Sequence, residues 1–225
     1  MKLSGWLFDL DGTLVDTNAL HVDAWDEVFH RFNHAIGRDR IVVEIGKGGD
    51  NLIPTLLGKE VEDEDGEKMR EAHVKAFKRI ARAQGINPAP DAAKLLEELR
   101  RRGYRLALAT SSAPDHVELI EELSGVPWRT LVDEVTDSGD VSASKPAPDI
   151  IAAALKKLSL PANECVMVGD TRWDATAAKR ANVRPIGVRF GGSSNLEEKG
   201  AEHVFESVAE ILAKLDAVIA EVIAG

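Results

Sequence analysis

Gly5-Trp6-Leu7-Phe8-Asp9-Leu10-Asp11-Gly12-Thr13 is an apolar run that ends in two carboxylates, two residues apart, and a glycine. Gly5 to Leu10 has the length and composition of a buried strand, and residues i and i+2 of a regular strand face the same side. Asp9 and Asp11 are therefore expected to reach one site. Like charges held that close repel, and a cation between them or protonation of one relieves the repulsion. A hard, oxygen-seeking Mg2+ is the expected cation. Taken alone, Asp11-Gly12 reads equally well as a surface turn, since Asp-Gly is a common turn pair. The rest of the chain has to decide.

Outward from this run, short stretches rich in Val, Ile and Leu alternate with amphipathic segments, the pattern of a parallel sheet covered by helices on both faces. Further strands are expected at Arg105 to Thr110, Leu131 to Thr136, Glu164 to Gly169 and Arg184 to Val188. Asp91 is placed to cap a helix carrying Leu95, Leu96 and Leu99 on one face, with Gly103 as its stop. Pro114 and Pro148 each stand where a first helical position is expected. Val208, Ile211, Leu212, Leu215, Ile219 and Val222 give one last helix a core-facing stripe. Between the first and second strands the pattern changes. Ala24, Trp25, Val28, Phe29 and Phe32, then Met69, His73, Ala76, Phe77 and Ile80, have helical spacing, and no buried strand intervenes. Residues 17–87 are thus expected to form a small all-helical cap, and residues 1–16 and 88–225 an α/β, Rossmann-like core. The acidic run Glu62 to Glu67 is expected to be a solvated loop.

At 225 residues the chain can bury a substantial core. No apolar run approaches the roughly 20 residues of a membrane-spanning helix, and the N-terminus lacks the pattern of a signal peptide. Cys165 is the single cysteine, so no internal disulfide forms and a reducing cytoplasm is the expected setting. The formal net charge of −10, without a basic stripe, argues against nucleic acid as a partner. A monomer or weak homodimer is expected. An acidic protein acting on an anionic substrate must supply local positive charge from a metal, a few Lys or Arg, or helix N-termini.

Three later strand exits carry chemistry. Thr110-Ser111-Ser112 offers hydroxyls and backbone N–H groups ahead of a helix, a plausible phosphate cradle. Ser144-Lys145-Pro146 places a lysine at a helix opening, where the helix dipole disfavours it; an exposed lysine is the ordinary alternative. Gly169-Asp170-Thr171-Arg172-Trp173-Asp174 again delivers acids after an apolar strand, although Asp170 alone reads as an N-cap.

Acid pair, hydroxyl, lysine and acid pair, in that order and each at a strand exit, resemble the haloacid dehalogenase superfamily over nearly the whole chain. The helical insertion resembles the small cap of the subfamily that contains phosphoglycolate phosphatase and β-phosphoglucomutase. The resemblance implies that Asp9 attacks phosphorus to form an aspartyl-phosphate, and that Asp11 protonates the departing oxygen and then activates water. It implies Mg2+ bound by the Asp9 carboxylate, the Asp11 main-chain carbonyl and Asp170. Asp174 either binds a metal water or holds Lys145. Thr110, the Ser111 N–H and Lys145 are implied to stabilise the transferring phosphoryl group.

Within that family, Asp11 argues against a dehalogenase, because a departing halide needs no proton. Phosphonate-cleaving relatives, which replace this acid, also fit poorly. A phosphatase acting on a small phosphorylated metabolite is the leading expectation, with a phosphomutase next and a non-catalytic binding protein last. His21 lies where β-phosphoglucomutases carry a histidine, though related phosphatases often do too. Ile45 to Asp50, with Lys47 and Gly48, resembles a specificity loop whose glycines allow close approach to a ligand; a Gly-rich turn between cap helices accounts for it equally. The mutase pattern expects an arginine in this part of the cap, and Lys47 is the cation found there. Two departures stand out: Asp91 and Asn182 occupy positions where relatives commonly have glycine.

Overall fold

A computed structural model describes residues 2–192, 196 and 200–224. Six parallel strands form one sheet, β1 (Gly5–Phe8), β2 (Arg105–Ala109), β3 (Glu134–Thr136), β4 (Cys165–Gly169), β5 (Arg184–Val188) and β6 (His203–Phe205), in the order β3-β2-β1-β4-β5-β6. Trp6, Phe8, Leu106, Leu108, Val166 and Val168 face one side, and Leu7, Ala107, Ala109, Cys165 and Met167 the other. Both sets are buried, so both faces need a helical layer.

One layer contains α5 (Ala92–Arg101), α6 (Pro114–Ser124), the single turn α7 (Trp128–Leu131), α10 (Val208–Ala213) and α11 (Leu215–Ala224). The other contains α8 (Asp149–Leu158) and α9 (Arg172–Arg180). Between β1 and α5 the chain forms four helices and no strand: α1 (Asn18–Arg31), α2 (Arg38–Glu44), α3 (Gly49–Leu57) and α4 (Lys59–Gln84). The strand order reverses between β1 and β4, which opens a crevice beyond their carboxyl ends, the usual ligand site of such sheets.

Several expectations are corrected. Glu62 to Glu67 is no loop but part of α4. Its acids occupy the early turns, where the helix dipole favours negative charge, and Glu62 and Asp65 pair with Arg70 and Lys68. The last helix is divided at Lys214, after which Val218 is buried along with Val222. Asp91 stands ahead of α5 but makes no capping bond; its backbone is left-handed, with φ 57°, and its carboxylate takes Lys94 instead. Helix α8 opens at Asp149, one residue after Pro148. The expected strand Leu131 to Thr136 shortens to β3 because Leu131 ends α7. The sixth strand was not anticipated; His203-Val204-Phe205 is short, half-buried and at the sheet edge.

Candidate active site

Strand β1 ends at Phe8, so Asp9 and Asp11 lie in the turn beyond it and the strand pleat does not aim them together. They serve different neighbourhoods. Asp9 lies at the reversal point, where its Oδ1 accepts from Lys145 Nζ at 2.5 Å. Asp174 Oδ1 lies 2.7 Å from the same ammonium, and Asp174 Oδ2 accepts from Thr171 N at 3.0 Å and Thr171 Oγ1 at 2.5 Å. Asp174 thus holds Lys145, one of the two roles considered for it. Asp170, at the end of β4, accepts from Thr13 Oγ1 at 3.1 Å and Asn18 Nδ2 at 2.7 Å.

Carboxylate oxygens of Asp9, Asp170 and Asp174 lie within 4.8 Å of one another, all buried. One lysine cannot balance three buried acids. Burial first, and the neighbouring carboxylates second, push Asp9 well above the usual carboxylate range despite Lys145, and burial and Asp174 push Asp170 up to about 7. Burial opposes the charge on Lys145, but Asp174 and Asp9 outweigh it and keep the ammonium. A buried all-oxygen donor set with excess negative charge fits a hard divalent cation such as Mg2+.

Asp11 is gripped from the opposite side. Its Oδ1 is 3.1 Å from His21 Nε2 and 3.1 Å from His116 Nε2 and accepts from Thr17 Oγ1 at 2.7 Å, while Oδ2 accepts from Ser112 Oγ at 2.8 Å. Burial works to raise its pKa, but the imidazoles of His116 and His21 prevail and hold it well below the usual range. His73 continues the array, with its Nε2 3.3 Å from His21 Nδ1.

A cavity of about 370 Å³ lies between sheet and helices, lined by Asp9, Asp11, Thr110 and Ser111 on one side and His21, Lys47, Gly48 and Arg70 on the other. Thr110 Oγ1 accepts from Ser112 N at 3.1 Å, which shapes the hydroxyl loop. Lys47 is already engaged: its ammonium is 2.6 Å from Glu44, bonds Thr55 at 2.9 Å and lies 4.1 Å above the Trp173 ring. The glycines of its loop allow close approach to the core rather than to open space. A Cβ on Gly48 would stand 2.3 Å from Ser144 Oγ, and one on Gly46, whose φ is +96°, 2.6 Å from Thr171. Gly48 N donates to Ser144 Oγ at 3.1 Å, and Asn51 Nδ2 donates to Ser144 O at 3.2 Å, so this loop is fastened beside Lys145.

Sequence reasoning passed over His116, Asn18 and Arg70, and it read Ser112 as part of the hydroxyl loop without its bond to Asp11. A histidine in the first turns of α6 or an asparagine opening α1 has no distinctive spacing. His73 did carry a signal, a titratable ring within the core-facing stripe of α4. Arg70 of α4 lines the cavity, and its guanidinium is 2.5 Å from Glu62.

Known proteins are similar to this chain in sequence and in fold. Protein CbbY of Cereibacter sphaeroides is 34% identical over 93% of this chain and 95% of its own length. A phosphoglycolate phosphatase of Pasteurella multocida is 29% identical over 96% and 98%. The crystal structure of a hydrolase from Pseudomonas syringae superposes with a TM-score of 0.88 at 32% identity, covering 96% of this chain and 99% of that one. The haloacid dehalogenase-like hydrolase model matches residues 5–182. Acid cluster, lysine and hydroxyl loop at the reversal point of a parallel sheet, together with these matches, make the chain a member of the haloacid dehalogenase-like hydrolase family.

Proposed function

We propose that the chain is a Mg2+-dependent phosphatase that hydrolyses a small-molecule phosphate monoester through an aspartyl-phosphate on Asp9. The observation that carries this reading is the placement of Asp9 and Asp11 on one cavity in opposite settings, Asp9 among acids and Lys145, Asp11 among imidazoles. Mg2+ would be held by the Asp9 carboxylate, the Asp11 main-chain carbonyl and Asp170, with Asp174 supporting through Lys145. When bound it neutralises charge on the phosphoryl oxygens and restores the ionised form of Asp9.

In the first half-reaction an Asp9 oxygen bonds to phosphorus as the ester P–O bond breaks, and the departing oxygen takes a proton from Asp11. Lys145, Thr110 and the Ser111 N–H support the equatorial oxygens. In the second half-reaction water attacks phosphorus, Asp11 accepts its proton, and the bond to Asp9 breaks to release phosphate. Held as a carboxylate by the imidazoles of His116 and His21, Asp11 is in the form that accepts this proton. The imidazoles on its Oδ1 are the adjacent proton carriers for the first half-reaction.

The helical segment 17–87 acts in this reading as a cap that selects the organic part of the ester. The cavity suits a small metabolite. The single cysteine, free and buried, accords with a cytoplasmic setting. No helix of the described residues is long and apolar enough to cross a membrane. Arg70 on the cavity favours a second reading, a phosphomutase that clamps a second phosphate, but its engagement with Glu62 leaves it second. A panel of phosphate esters, assayed for free phosphate and for isomerised sugar phosphate, separates the two. Phosphate release that EDTA abolishes and Mg2+ restores is expected, whereas full activity in metal-stripped protein, or isomer as the main product, would refute the reading.

A further inference from the structure

Asp11, His21 and His116 converge from three separate elements, the turn after β1, α1 and α6. Both Nε2 atoms lie 3.1 Å from Asp11 Oδ1, and the three donor atoms are within 4.8 Å of one another. Both histidines are largely buried, at 8% and 9% exposure. A four-coordinate ion with ligand distances of about 2.0–2.2 Å needs its donor atoms roughly 3–3.5 Å apart, which the two separations from Asp11 Oδ1 match.

The surroundings also suit metal ligation. A ligating histidine commonly has its other ring nitrogen fixed by a hydrogen-bond partner. His73 Nε2, 3.3 Å from His21 Nδ1, is positioned to accept from it once His21 Nε2 turns its lone pair to a metal. The Phe77 ring stacks 4.3 Å from His21 and lies tilted 4.4 Å from His116, which walls the rings with apolar surface.

We propose that Asp11, His21 and His116 form a site for a borderline-soft divalent cation of the Zn2+ class, distinct from the carboxylate cluster of Asp9, Asp170 and Asp174. Two imidazoles and one carboxylate select Zn2+ over Mg2+, whereas the all-oxygen cluster suits Mg2+. Occupation ties up the carboxylate that moves protons, so the ion inhibits. That consequence rests on the phosphatase reading; the binding does not.

The test is equilibrium dialysis of the full chain against Zn2+ in excess Mg2+, with Co2+ as a spectroscopic substitute. One Zn2+ per chain is expected, and the Co2+ form should show the intense visible bands of four-coordination. His116→Gln and His21→Gln should each weaken binding by at least about tenfold, as loss of a first ligand must exceed the roughly 10–100-fold effect of an outer partner. Asp170→Asn should retain it. No Zn2+ uptake, uptake undiminished in both histidine variants, or uptake lost in Asp170→Asn would overturn the site. Zn2+ that binds as described yet leaves ester hydrolysis unimpaired would overturn the inhibition alone. Absence of any Mg2+-dependent hydrolysis would instead remove the phosphatase reading, with the dialysis result standing.

Discussion

Asp9 and Asp11 are separated by Leu10 alone, yet one meets carboxylates and a lysine and the other meets imidazoles. Their residue types, their position after an apolar strand and the company of Lys145, Asp170 and Asp174 near Asp9 were legible in the sequence; the imidazole of His116 on Asp11 was not, because it comes from α6, more than a hundred residues away in the chain. The two acids do line one cavity, but the pleat is not the reason, because β1 stops at Phe8. The same surroundings bear on stability. Burial foremost, then repulsion from His21 and His116, holds His73 well below its ordinary value of 6.5. As pH falls below 6.5 the unfolded chain binds a proton that the folded chain refuses, so stability drops, by up to about 1.4 kcal/mol per pH unit, until the folded pKa is reached. His73→Gln is expected to make this acid limb shallower, read from urea midpoints across pH. An unchanged slope would show that His73 titrates normally in the folded state.

At the scale of elements, the helices with a clear apolar stripe were legible, and the boundaries that depend on backbone handedness were legible only as departures from a pattern. Asp91 and Asn182 both have φ of 57°, the left-handed region that glycine enters freely. An L-residue there costs roughly 1–2 kcal/mol, less for Asn and Asp. Asp91→Gly is therefore expected to raise stability by up to about 1 kcal/mol after the greater flexibility of unfolded glycine is set against it. The exposed contact with Lys94 that it removes contributes little. Asn182→Gly should gain less, since Asn tolerates this conformation. Chemical denaturation checks both; a clear loss of stability in Asp91→Gly would mean that its carboxylate matters more than its backbone. The acidic start of α4 misled sequence reasoning because composition alone does not separate a solvated loop from the favourable N-terminal turns of a helix.

Across the whole molecule, four motifs in chain order foretold which strand ends would meet, since a doubly wound sheet brings its strand exits to one edge. The strand order itself, the reversal between β1 and β4 and the edge strand β6 needed the structure. In a protein with a formal net charge of −10, Lys145 is buried among the acids of a cluster whose oxygen donors suit Mg2+. In the proposed mechanism the phosphoryl group is transferred to Asp9. Acid-quenching the protein during turnover and reducing it with borohydride converts an acyl phosphate on aspartate to homoserine, which peptide mass spectrometry locates. Homoserine at position 9, dependent on substrate and Mg2+ and absent from Asp9→Asn, is the expected result. Turnover without modification at position 9, or with modification at another acid, would contradict it.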